Sequence, residues 1–123
     1  ESFGDFKTTE SFDVITLIGV LEYANLFMSG DEPAVSMLQR VRSLLKPDGK
    51  LIIAIENQLG LKYFAGAPED HLGISMFGIE GHYHKASAKT FGKKTLDHFY
   101  FLAESYNIAT RIKQSLTIKI ALP

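Results

Sequence analysis

The chain has no cysteine, no tryptophan and no excess of charge. The first absence excludes thiolate metal sites, a cysteine nucleophile and disulfide staples. Thirteen Lys and Arg against 14 Asp and Glu leave a net charge of −1, which removes the usual electrostatic argument for nucleic acid or an anionic membrane. No apolar run approaches the ~20 residues of a membrane-spanning helix. Neither G-x-G-x-x-G nor G-x-x-x-x-G-K-[ST] occurs, so there is no ready cradle for a dinucleotide or a triphosphate. What is present is 46% apolar residues over 123 positions, enough for one globular core and too much for disorder. The expectation is a cytoplasmic domain without a membrane span. The opening Glu1-Ser2-Phe3-Gly4-Asp5 has no initiator Met and no signal-like run, and reads as a piece excised from a longer polypeptide.

Val14-Ile15-Thr16-Leu17-Ile18-Gly19-Val20-Leu21 is short, apolar and β-branched, without alternation. It predicts a strand buried on both faces, as in a parallel sheet covered by helices. Asp31-Glu32-Pro33 signals a helix start, and Val35, Leu38, Val41 and Leu45 follow at helical spacing, with Arg40 and Arg42 left to water. Lys46-Pro47-Asp48-Gly49 turns the chain into a second apolar strand, Leu51-Ile52-Ile53-Ala54-Ile55. Strand, helix, strand within about 45 residues is a βαβ crossover. Residues 57–91 are rich in glycine and aromatics and lack a period, which predicts an ordered active-site loop with a short helix near Leu59–Phe64. A last helix begins near Gly92 with Leu96, Phe99, Tyr100, Ala103 and Tyr106 on one face. Leu116, Ile118, Ile120 and Leu122 then alternate as an edge strand.

Several of these residues fall in a familiar order. They are Gly4-Asp5-Phe6, Phe12-Asp13-Val14-Ile15, Val20-Leu21-Glu22-Tyr23 and Leu44-Leu45-Lys46-Pro47-Asp48-Gly49-Lys50-Leu51. In that order and spacing they resemble the second half of a class I S-adenosylmethionine-dependent methyltransferase domain. Ala54–Gly66, Glu69-Asp70-His71 and Gly78-Ile79-Glu80-Gly81-His82-Tyr83 look like one bacterial subgroup. Its members stand near or are fused to glycosyltransferases of surface-polysaccharide and lipopolysaccharide synthesis. The resemblance implies an α/β fold: a partial Rossmann-like sheet of βαβ, long loop, helix and edge strand, with residues 1–123 as the C-terminal half of the domain. It also implies methyl transfer from S-adenosylmethionine to a sugar-containing acceptor. The family's glycine-rich loop and ribose-holding acid would lie upstream of Glu1, so this stretch is expected to be inactive alone and to self-associate through its open sheet flank. The alternative is a catalytically degenerate domain that supports assembly or dimerisation of a glycosyltransferase.

Matched residue by residue, Asp5 and Phe6 occupy the position that contacts adenine, or else form an ordinary turn. Ile18 and Gly19 end the first strand, where open α/β sheets bind ligands, and Gly19 would admit the methionine moiety or serve only a turn. Glu22 would orient the acceptor or solvate a helix; Glu56 and Asn57 end the second strand at the same edge. Methyl transfer to a hydroxyl needs alignment and a proton acceptor, and Asp70 and His71, beside Glu69, are the candidates. Tyr63 and Tyr83, with Phe64 and Phe77, would stack on sugar rings or simply order the loop. His82 and His84 with Asp70 and His71 fit no standard metal spacing, so no metal is expected. Lys89, Lys93 and Lys94 make a small basic cluster, either a phosphate contact or a solvated face.

Overall fold

In the computed structural model, residues 3–84, 88–105 and 119–121 are described. β1 (Phe12–Ile18) leads through a 3-10 turn (Leu21–Tyr23) into the short α1 (Ala24–Phe27). The helix α2 (Pro33–Leu44) starts with proline in its first turn, where a missing N–H costs nothing. It is followed by β2 (Leu45–Ala54), α3 (Leu61–Phe64), α4 (Lys93–Ser105) and β3 (Lys119–Ala121). The sheet order is β1-β2-β3, and both pairings are parallel. The chain is therefore α/β, with the expected βαβ unit at its centre.

Leu45 belongs to β2 rather than to the helix. The Lys46–Gly49 turn lies inside that strand as an irregularity: Phe12 pairs with Leu45 but Val14 already pairs with Lys50. A turn-rich tetrapeptide is thus absorbed as a bulge, because the ladder resumes on the apolar run that follows.

The core lies on one side of the sheet. Leu17, Leu51, Ile53 and Ile55 are buried with Met37, Leu38 and Val41 of α2, and with Leu96 and Ala103 of α4. Phe91 stacks edge-on against Phe99 of α4, 5.2 Å between ring centroids. Among the described residues nothing covers the other side, which corrects the expectation of a strand buried on both faces. Val14 is 51% exposed, Ile18 67% and Ile52 38%. Register explains the set: Thr16 pairs with Ile52 and Ile18 with Ala54, so alternate residues of both strands share the uncovered face. Phe101 is exposed, on a different face of α4 from Leu96 and Ala103. Tyr106, Leu116, Ile118 and Leu122 lie outside the described residues, and Ile120 falls in β3 at the sheet edge. No described helix is long and apolar enough to cross a membrane.

Candidate active site

Parallel sheets bind ligands beyond the carboxyl ends of their strands, and the long loop folds over that end here. Its neck is closed where Asn57 bridges Phe91 and the Gln58 N–H donates to the Phe91 carbonyl at 3.3 Å. The Lys89 N–H donates to the carbonyl of Glu22 at 2.8 Å, tying the loop's return to the turn after β1. The His71 ring stands edge-on to Tyr23, with centroids 5.5 Å apart. His71 is thereby placed one turn past the end of β1.

Glu69 organises the loop. It is 3% exposed, yet its carboxylate accepts four hydrogen bonds: from the His71 N–H (2.8 Å), the Leu72 N–H (2.7 Å), His71 Nδ1 (2.9 Å) and the Tyr83 hydroxyl (3.1 Å). Burial pushes this carboxyl up, and the bonds from His71, Leu72 and Tyr83 outweigh it, leaving the group below its ordinary value of 4.5. An ionised carboxylate only accepts, so Nδ1 of His71 is the nitrogen that donates, and in the neutral form of the ring this leaves the lone pair on Nε2. The Tyr83 hydroxyl spends its single proton on Glu69. Thr90 Oγ1, 2.6 Å away and 1% exposed, is therefore the donor to Tyr83. Burial, opposed by the Thr90 bond and reinforced by the Glu69 charge, raises Tyr83 above its ordinary value and keeps it neutral. Gly78 makes room for this arrangement, since a Cβ there would come within 2.6 Å of the Tyr83 oxygen.

A second cluster lies beside the first. The Tyr63 hydroxyl donates a short hydrogen bond to Asp70, while Lys62 pairs with Asp70 at 2.9 Å and with Glu56 at 3.1 Å. The Tyr63 bond, against a smaller cost of burial and with help from Lys62, lowers Asp70 below its ordinary value. Lys62 is raised by its bonds to Asp70 and Glu56, and Tyr63 by burial and then by Asp70. Asp70 is thus committed to two donors and poorly suited to accept a proton, whereas among the described residues Nε2 of His71 has no hydrogen-bond partner.

The remaining candidates are placed as follows. Gly19 has φ +62°, donates to the Ala54 carbonyl at 2.9 Å, and has open space where a Cβ would stand. Ile18 beside it is exposed on the uncovered sheet face. Glu22 is not solvated: it is 3% exposed, and among the described residues its Oε2 has no partner. Asn57 folds onto its own loop, its Oδ1 accepting from the Leu59 N–H. Tyr63 is buried, so its ring packs inward, whereas Phe64 is 59% exposed. Asp5 and Phe6 are exposed, and the Phe6 carbonyl accepts from Arg40 on α2; the described hydrogen bonds do not join them to the loop network. Among the described residues no group of three or more His, Asp or Glu is placed to hold a metal ion. The residues that sequence reasoning passed over are Lys62 and Thr90. A hydroxyl or a single lysine carries no spacing signal, and both matter only through partners brought close by the fold.

Compared with known proteins, the chain matches no family model, no curated protein and no solved structure.

Proposed function

We propose that this chain is part of an S-adenosylmethionine-dependent methyltransferase acting on a hydroxyl of a sugar-containing acceptor in bacterial surface-glycan synthesis, with His71 as general base. The observation that carries the reading is the Glu69–His71 pair beyond the carboxyl end of the parallel sheet, with Nδ1 held by a buried carboxylate at 2.9 Å. That arrangement fixes the tautomer and directs the basic nitrogen away from Glu69. The chain's residues fit the cofactor at Gly19, where the left-handed backbone leaves open space at the strand end, and at the exposed Asp5, which has no described hydrogen bond. Ile18 and Gly19 would border its methionine part, and Asp5 and Phe6 its adenine. When bound, S-adenosylmethionine supplies a methyl group on a sulfonium and leaves as a neutral thioether. His71 Nε2 takes the proton of the acceptor hydroxyl, and Glu69 stabilises the resulting imidazolium. Lys62 holds Asp70 and Glu56 away from that proton.

The test uses the full-length polypeptide that contains this chain, titrated calorimetrically with S-adenosylhomocysteine. Micromolar binding that Asp5→Ala weakens is expected. In the same protein His71→Gln should lower turnover by about 10²–10⁴-fold while leaving that binding unchanged. A folded protein that gives no heat would move the assignment to the second reading, a domain that supports assembly of a glycosyltransferase. The uncovered sheet face, with Val14 and Ile18 in water, favours that alternative.

A further inference from the structure

A cavity of about 330 Å³ lies between the connection from α1 to α2 and the returning limb of the long loop. Asn25, Met28 and Asp31 line one side, and Tyr83, His84 and Lys89 the other. Its volume is at the lower end of small-molecule sites, room for one ring and its substituents but not for a dinucleotide.

Two opposite charges border this space without neutralising each other. None of the described ion pairs includes Lys89 or Asp31. The described contact of the Lys89 ammonium is with the Phe91 ring, 5.8 Å from its centroid. Its backbone is fixed by the bond to Glu22, so the side chain leaves from an anchored point. An apolar occupant would strip water from both charges and return nothing. An inorganic anion would satisfy Lys89 and be repelled by Asp31. An occupant with one acidic group and several hydroxyls satisfies both, the acid accepting from Lys89 and the hydroxyls donating to Asp31. Tyr83 adds an aromatic wall suited to the C–H face of a pyranose.

Tyr83 also joins the cavity to the chemistry. Its hydroxyl donates to the Glu69 oxygen that accepts from His71 Nδ1. We infer that the cavity bordered by Asp31, Tyr83 and Lys89 binds a sugar-sized polyol carrying one acidic group, phosphate or carboxylate. In the methyl-transfer reading, on which this last step rests, it is the acceptor's seat.

The experiment is an amide-resolved NMR titration of the isotopically labelled chain with α-D-glucose 1-phosphate, D-glucuronate, D-glucose and inorganic phosphate in turn. The two acidic sugars should shift the same amides around Asn25, Asp31 and Lys89, and the tighter of them identifies the acidic group. Glucose and phosphate should bind at least about tenfold more weakly, the scale of one charge-assisted hydrogen bond. Lys89→Gln should abolish the preference for acidic sugars, Asp31→Asn should weaken all three sugars, and the exposed Lys46→Gln should change nothing. Unaltered spectra elsewhere certify that each variant folds. Phosphate binding as tightly as glucose 1-phosphate would overturn the inference, as would affinity unchanged by Lys89→Gln or the absence of any shift. The S-adenosylhomocysteine titration is independent: sugar binding without cofactor binding would keep the cavity and remove methyl transfer, and the reverse would remove the cavity alone.

Discussion

At the scale of single residues, one buried carboxylate decides how the loop is held. Removing it by Glu69→Ala strands the His71 and Leu72 amides, which should cost about 1–3 kcal/mol, read from the urea midpoint. The same residue gives the loop a pH signature. A carboxyl whose folded-state value lies below its unfolded value of 4.5 stabilises the fold above pH 4.5. That contribution is lost as the pH falls through the lowered folded value. The wild-type chain should therefore lose stability in acid below pH 4.5 more steeply than Glu69→Gln does. Parallel curves would remove Glu69 from the account of the loop. Gly78→Ala is the complementary change, because the added methyl would displace the Tyr83 hydroxyl. It should leave α2 and the sheet folded, shown by far-ultraviolet circular dichroism, while the Tyr83 ring resonances move.

At the scale of elements, the βαβ unit was legible because Pro33 marks the start of α2 and apolar runs mark the two strands, although the Lys46–Gly49 turn that reads as a boundary lies inside β2. Burial was less legible. Val14, Thr16 and Ile18 look like core by composition, and nothing in a strand's own sequence says whether its second face has a cover. The difference is measurable: Leu17→Ala should cost about 2–5 kcal/mol, and Ile18→Ala within about 0.5 kcal/mol. Equal losses would mean that both faces are packed. The candidate site divides in the same way. His71, Asp70, Tyr63 and Tyr83 could be found because acids, an imidazole and tyrosines cluster in one aperiodic stretch, and Glu56 because it follows the second apolar strand. The division of labour between Glu69, buried and accepting four bonds, and Asp70, held by Tyr63 and Lys62, depends on side-chain direction that neighbouring positions in a sequence do not carry.

At the scale of the whole molecule, the described sheet keeps an apolar face in water and has β1 along one edge. A second copy of the chain offers the same unpaired amides and the same Val14, Ile18 and Ile52, so association between like faces is expected. Light scattering at micromolar concentration should report a dimer or larger species that Ile18→Lys shifts toward monomer, and a strictly monomeric peak would contradict this. The loop has a different relation to the rest. The main core cluster contains no described residue between 58 and 90, while Ile55 and Phe91, on either side of the neck, both belong to it. Paired at Asn57 and Phe91, the two ends stand about 5 Å apart. A short glycine–serine bridge in place of 58–90 should therefore leave the sheet and α2 intact by circular dichroism. Residues 58–90 are in effect an exchangeable cartridge, and a different one could be grafted at the same two points to give the scaffold a different preference.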